Sequence, residues 1–555
     1  MRYVLRLLLV TALCVLCALC GKSAAYAKDH FLTIGGGYSP SGNQVSLEKN
    51  VNFLQSVLAE KRPDQPPHDV YFADGDDDQR DVHYRDPDFE TTCPPARRIM
   101  AELFGDSDSM DHVYRNHEIK NVAGPADKDL LETRFRELAR ELQSGDRLIV
   151  YATGHGGPAS AGHGGRRRGG GPRGGGRGRG NPYNTTLYLW DNARVSASDF
   201  AGWLNDLRPD VTVVLVMVQC HAGGFAHTIF EQATASQGLA PHARCGFFAQ
   251  VHDRAASGCT PDVEEADYQE YSSFFWAALA GRTRAGAKLS GVDYDRNGEV
   301  SFSEAHAYAV LASDTIDIPV RTSDALLRQY SRAEGSTAGT PATETGGPRR
   351  GGRGRRAATT EEPVEPEQPQ TPAASSDLPA DLTPFAGPLS KLTAIARPDQ
   401  RAILEQLPVR LGLGGAATVE DVRRRLEKAN SEIDALNGQL SDATQKNTAA
   451  LTKVREEVRR IWPELNSDYA PLAMSLANER ADEFAPRVSG MASYRDFTSA
   501  HAAQEVVADA RLDAERMEAK VQRLLRTCED VVLAANLPKV ATPEIVARYE
   551  KLVEL

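Results

Sequence analysis

The feature that most restricts the fold is a series of short segments that are apolar on consecutive residues rather than on alternate ones: 31–34, 70–72, 147–152, 187–190, 211–218 and 246–251. A strand with one wet face alternates, whereas a strand covered on both faces need not. Between these runs, 46–60, 127–143 and 196–207 repeat apolar residues at helical spacing. The alternation predicts an α/β fold with a mostly parallel sheet flanked by helices.

Two segments hold too little apolar material to join any core. Residues 158–182 set Arg166, Arg167, Arg168, Arg173, Arg177 and Arg179 among glycines, and 331–384 places a basic stretch before Glu361, Glu362, Glu365 and Glu367 among prolines. The first reads as a disordered Arg/Gly insertion and the second as a disordered linker. Arg-Gly tracts also suit polyanions, but here no aromatic residue interleaves to stack on bases.

The whole chain carries 64 Lys+Arg against 76 Asp+Glu over 555 residues, a net charge of −12. That balance argues against binding duplex nucleic acid, and the composition excludes collagen, a polytopic membrane protein and a wholly disordered chain. Arg2 and Arg6 precede an apolar run over 7–20, and Ala25-Tyr26-Ala27 resembles a cleavage site. Residues 1–27 therefore read as a signal peptide, predicting a secreted or periplasmic mature chain without a transmembrane span. The mature chain keeps Cys93, Cys220, Cys245, Cys259 and Cys528, an odd set that leaves at least one thiol free or paired with another chain. Cys245 and Cys259 are near enough in sequence to form a disulfide.

After the linker the period changes. Val422, Leu426, Ala429, Ile433, Leu436 and Leu440 keep a three-four spacing, broken at polar Asn447, and a second series from Ala503 to Val531 keeps it throughout. Residues 385–555 thus predict an α-helical hairpin or bundle, with self-association as a further use of its apolar seams and Met517 and Cys528 in the core.

The candidate chemistry sits at two strand ends. The run 147–152 leads into Thr153-Gly154-His155-Gly156-Gly157, and 211–218 into Gln219-Cys220-His221-Ala222-Gly223-Gly224. Both put a reactive side chain past the carboxyl end of a buried strand, where open α/β sheets build their sites. The small residues that follow leave backbone N–H groups free to face a developing oxyanion. Singly, each ending also fits a structural residue; together they are more specific. His221, beside Cys220, reads as structural.

With these two endings the chain resembles the caspase-fold cysteine peptidases, and within them the legumain group, with a metacaspase-like turn at Cys220-His221-Ala222-Gly223. The resemblance spans about 29–314 and implies a caspase-like domain over 28–330 that acts on polypeptide substrates. It implies Cys220 as nucleophile, His155 as proton donor, the N–H groups of Gly156 and Cys220 as oxyanion donors, and Asn43 as the group orienting the histidine. Ser257 and Glu270 remain as substrate-pocket candidates, Glu270 reading equally as a solvated helix-terminal acid. Val218 stands where the family carries an acid two residues before the nucleophile, so primary specificity does not transfer. The order of parts also leaves two roles for 385–555: a module released by cleavage at the linker arginines, or a permanent docking or dimerisation module.

A second motif is independent. Residues 293–304 match an EF-hand loop, with Asp293, Asp295, Asn297, Glu299, Ser301 and Glu304 as Ca2+ ligands and Gly298 at the sharp turn. The loop stands alone and follows a weak helix, which favours a structural or weak site, with a metal-free turn as the alternative. The reading as a whole is an exported cysteine endopeptidase. Its alternatives are an inactive binding relative and a helical scaffold with polyanion-binding Arg-Gly tracts.

Overall fold

A computed structural model describes residues 27–159, 181–334, 379, 381–466 and 471–554. The expected signal peptide, 1–27, lies outside the described residues apart from Ala27. So do 160–180 of the Arg/Gly insertion and most of the linker, 335–378 and 380. Among the described residues no helix is long and apolar enough to cross a membrane.

The first half is α/β. Strand β1 (Asp29–Gly36) leads through helix α1 (Val45–Lys61) to β2 (His68–Phe72). An excursion follows, made of β3 (Val82–Arg85), α2 (Phe89–Thr92), α3 (Pro95–Phe104) and β4 (His112–Arg115). The chain returns through β5 (Val122–Gly124) and α4 (Lys128–Glu141) to β6 (Arg147–Gly154). Next come the short antiparallel strands β7 (Gly156–Gly157), β8 (Thr186–Tyr188) and β9 (Arg194–Ser196), then α5 (Ala197–Asn205) and β10 (Thr212–Met217). The domain closes with β11 (Arg244–Phe248), α6 (Tyr271–Ala280), α7 (Phe302–Ala312), β12 (Val320–Arg321) and α8 (Thr322–Tyr330).

The main sheet has seven strands in the order β12-β11-β10-β6-β1-β2-β5. Every pair is parallel except β11 with β12. Its centre is dry on both faces: all eight residues of β1 and all five of β11 are buried, which is why their sequences do not alternate. Local chemistry sets the helix starts. Asp127 caps α4 by accepting from Asp129 N and Leu130 N, and Ser196 and Asp199 form a capping box on α5. One expectation shifts: 187–190 contributes to the small β7-β8-β9 sheet rather than to the main one.

The second half is helical: α9 (Leu389–Ile395), α10 (Pro398–Arg410), α11 (Val419–Ile461), α12 (Pro471–Asn478), α13 (Ala481–Ser489), α14 (Ala492–Val540) and α15 (Pro543–Glu554). Helices α11 and α14 lie antiparallel: Lys453 pairs with Asp496 at 3.2 Å, Asn447 Nδ2 donates to Gln504 Oε1 at 2.7 Å and Arg511 Nε to Asn437 Oδ1 at 2.8 Å. Asn447 therefore does not break α11; a cross-helix amide contact accommodates it. Cys528 is core, and Met517 packs against that core.

The helices are not a separate body. Phe385, Leu389, Leu404, Val422, Leu524, Leu533 and Leu552 share one continuous apolar cluster with Val213 and Phe247 of the sheet. At the far end of the hairpin Trp462, Phe484, Val488 and Phe497 pack on Ala96, Ile99 and Leu103 of α3. The ends of the expected linker are likewise tied down. Ser331 is buried, and Asn536 Nδ2 donates to Arg332 O at 3.0 Å and Thr383 O at 2.8 Å. The domain boundary expected at 330 and 385 thus falls inside one packed unit. Its apolar seams are spent largely within this chain.

Candidate functional site

Strands β6 and β10 are parallel neighbours, with Ala152 opposite Met217. Their carboxyl ends therefore open at one edge, and His155 and Cys220 follow there, each on the turn after its own strand. The two turns touch through backbone: a Cβ added to Gly156 would stand 2.2 Å from Cys220 O. Only glycine permits that approach.

His155 is half-buried and its orientation is set by the loop after β1. Nε2 donates to Gly42 O at 2.8 Å, with Gln44 Oε1 at 2.9 Å, while the Tyr38 ring stands edge-on at 5.3 Å. Because two acceptors face Nε2, the proton belongs there, and Nδ1 is left as the acceptor nitrogen, with no hydrogen bond among the described residues. Burial holds the imidazole below its ordinary value, partly opposed by Gly42 O. The ring is therefore neutral at pH 7, as a proton acceptor must be.

Cys220 Sγ lies against the loop after β11. It accepts from Ala256 N at 3.2 Å, and its S–H faces Ala256 O at 3.8 Å. Burial raises the thiol's pKa, the Ala256 N–H opposes this, and the Asp317 carboxylate adds to it. The resting groups are a neutral thiol and a neutral imidazole, not a preformed ion pair. Tyr188 N donates to His155 O at 2.9 Å; alternation along this antiparallel ladder turns the Gly156 N–H away from β8. The Cys220 N–H has no backbone acceptor among the described residues. Neither N–H thus has a backbone acceptor among the described residues.

His221 holds a left-handed backbone at φ 61° and turns outward, Nδ1 donating to His252 O at 2.9 Å. That bond fits the structural reading of this side chain.

Two expectations need correction. Asn43 does not touch His155: its Oδ1 accepts from Gly37 N at 2.9 Å and its Nδ2 donates to Asp81 O at 3.0 Å. It fixes the loop whose Gly42 and Gln44 orient the histidine, so its effect is one step removed. Glu270 is neither solvated nor free to take a substrate cation. It is buried, pairs with the buried Arg284 at 3.1 Å and accepts from Ser272 Oγ at 2.9 Å. Burial nonetheless raises its carboxyl pKa, with Arg284 opposing.

Ser257 lies in the Cys220 loop, and its N–H donates to Asp317 Oδ1 at 2.7 Å. Asp317 is 1% exposed and its Oδ2 has no partner; burial pushes its carboxyl up to about 7, with the Ser257 N–H opposing. Gln219, also buried, leaves both side-chain polar atoms unpaired beside Cys220. Gln44, Ala256, Asp317 and Gln219 were not singled out from the sequence. Gln44 and Gln219 adjoin flagged residues, a signal that was available; Ala256 and Asp317 carry none.

Cys245 and Cys259 do not pair. Cys245 is buried on β11 with Sγ 3.6 Å from Leu552 O, whereas Cys259 is exposed, and both thiols are free.

In the 293–304 loop, ligand oxygens of Asp293, Asp295 and Glu304 converge within 4.8 Å, with no Lys or Arg paired to them among the described residues. Gly298 takes φ 97°, the turn the motif demands. Glu304 also caps α7: its Oε1 accepts from Tyr294 N at 2.6 Å and its Oε2 from Ser301 N at 2.9 Å. Three converging carboxylates without a counter-charge fit a hard divalent cation, although Glu304 must share its oxygens with these N–H groups. The weak helix expected at 285–290 does not form; turns and bends lead from α6 into the loop.

No protein-family model matches the chain, and no curated protein matches it. Among solved structures it is similar to the crystal structure of a protein from Geobacter sulfurreducens at 11% identity and a TM-score of 0.27, covering 53% of this chain and 92% of that one.

Proposed function

We infer that this chain is an exported cysteine endopeptidase working through Cys220 and His155. The observation that carries the reading is the pair of turns at the ends of β6 and β10, packed so closely that Gly156 has no room for a Cβ beside Cys220 O. In the proposed reaction His155 Nδ1 takes the Cys220 proton as the sulfur attacks the scissile carbonyl carbon. The carbonyl oxygen becomes an oxyanion facing the Gly156 and Cys220 N–H groups. As the tetrahedral intermediate collapses, His155 returns that proton to the leaving amine and a thioester remains. Water, deprotonated by the same imidazole, then hydrolyses the thioester and restores the thiol.

The pairing of Glu270 with Arg284 removes the support for a preference for basic residues before the cut. Ser257 keeps its candidacy as a wall of the pocket. Incubating the purified mature chain with a diverse peptide library, beside a folded Cys220→Ala variant, tests the reading. Cleavage by the first and not the second is expected; equal cleavage, or none by either, rejects it.

The reading includes a structural Ca2+ in the 293–304 loop. Asp293, Asp295, Asn297, Ser301 and Glu304 would supply side-chain oxygens, with position Glu299 contributing as in the motif. When bound, the ion neutralises the carboxylates ahead of α7.

A further inference from the structure

We propose that Glu518 and Arg523 of α14 are positioning residues for Cys220, so that the C-terminal helices complete the site where they sit. This rests on the peptidase reading for its catalytic consequence, but not for its effect on the thiol.

The argument begins at the sulfur. Its N–H donor is Ala256, in the irregular stretch 249–264 that follows β11. Such a loop holds a donor at a fixed distance only if it is fastened nearby. Three bonds fasten it: His221 N to Arg254 O at 2.9 Å, Gln250 Nε2 to Ala255 O at 2.8 Å, and Ser257 N to Asp317 Oδ1 at 2.7 Å. The two outer fastenings lead to α14.

On one side Arg254 forms a fork with Glu518, Nη1 to Oε2 at 2.7 Å and Nη2 to Oε1 at 2.8 Å. Glu518 is only 2% exposed, and Gln522 Nε2 donates to it at 2.9 Å. Its orientation is thereby set before Arg254 arrives. On the other side Arg523, 3% exposed, gathers the segment that carries Asp317. Its guanidinium donates to Ser313 O at 2.8 Å, Thr315 O at 2.9 Å, Asp317 O at 2.6 Å and Val310 O at 3.1 Å.

No carboxylate pairs with Arg523 among the described residues. A buried arginine that spends its donors on loop carbonyls acts by fixing backbone, because apolar packing alone holds a helix without burying a charge. Both arms reach residues within two positions of Ala256. Loosening either lengthens the N–H···S contact that favours the thiolate.

The test uses the full mature chain with Glu518→Gln, Arg523→Lys and the reciprocal Arg254→Glu/Glu518→Arg pair. Each conservative change keeps most of the volume, and melting curves show that the variants fold. The primary readout is the pH midpoint of iodoacetamide alkylation at Cys220, resolved by peptide mass with Cys93, a half-buried free thiol in the excursion after β2, as internal reference. Losing much of one charge-favouring hydrogen bond moves that midpoint up by about one pH unit. Peptidase kcat falls ~10-fold with little change in KM. The reciprocal pair restores most of both.

Folded variants in which the Cys220 midpoint does not move overturn the proposal, whatever their activity. If the wild type cleaves no peptide but the midpoint still moves, the positioning role stands and the peptidase reading falls. If the wild type is an active peptidase and the midpoint is fixed, the reverse holds. Should all single variants unfold, a folded swap with the wild-type midpoint supports the proposal, and one with a displaced midpoint rejects it.

Discussion

Replacing Gly156 by alanine tests the core of the site with a single carbon. The added Cβ would stand 2.2 Å from Cys220 O, 2.7 Å from Gln219 Cγ and 3.0 Å from Thr186 O. An ordinary carbon–oxygen contact is about 3.3 Å, so the two turns must separate by roughly 1 Å. Sideways relief is blocked, since the other close neighbours are a buried side chain and the β8 backbone. Gly156 has no positive φ, so backbone strain adds nothing and the whole effect is steric. A displacement of this size between an oxyanion donor and a nucleophile costs ~100-fold in rate, or about 2.7 kcal/mol of barrier. Overpacking should lower stability by only about 1–3 kcal/mol, leaving the protein folded. The assay is kcat/KM on a peptide substrate beside a thermal melt. Gly202→Ala on α5, where a Cβ meets nothing within 4 Å, is the control and should be neutral or slightly stabilising. Wild-type kcat/KM in a folded Gly156→Ala protein would refute the assignment of this turn.

Four further outcomes are expected. Cys220→Ala and His155→Ala should each abolish peptide cleavage while leaving the melting temperature within a few degrees, because neither side chain anchors the core; measurable turnover by either would remove that residue from the mechanism. The imidazole, held below its ordinary 6.5, should stay neutral into mildly acidic solution, so the acid limb of the rate profile falls below pH 6.5. The buried thiol, raised from about 9, should alkylate more slowly than free cysteine at pH 8 and continue to accelerate above about pH 9; a low, flat profile would indicate a preformed thiolate instead. Calcium at a hundred times its dissociation constant should stabilise the chain by ~2.7 kcal/mol, with chelator reversing the gain. Asp295→Asn is a cleaner probe than Glu304→Ala, since Glu304 also caps α7; superimposable melts with calcium and chelator would dismiss the site.

What could be read from the sequence was whatever depends on near neighbours. Unbroken apolar runs revealed β1, β2, β6, β10 and β11 because burial on both faces suppresses alternation. The two-residue β12 and three-residue β5 were missed, being too short to show a period. The long helical repeats of α11 and α14 were visible, and one polar residue, Asn447, misled only because its cross-helix partner Gln504 lies 57 positions away. The placement of His155 and Cys220 was legible for the same local reason: each follows its own strand and is followed by small residues.

What escaped depends on pairs far apart in the chain. Glu270 looked available to a substrate because nothing near it in sequence is basic, yet Arg284 folds back onto it across α6 and the following turn. Asn43 looked like the histidine's partner, whereas its neighbours Gly42 and Gln44 make the contact and Asn43 braces them from below. The expected linker suggested two bodies, but Asn536 bonds to both of its ends and the helices extend the core of the sheet. This last point changes the choice between the two roles left open for the helices. A releasable module needs a boundary that can part without exposing its own core. Here parting would uncover Leu524, Val532 and Leu533, and would take the Arg523 donors from four backbone carbonyls. Buried carbonyls deprived of partners cost about 1–3 kcal/mol each, before the apolar surface is counted. Cleavage in the linker would therefore leave the helices bound, and truncation before them should inactivate the site rather than release it.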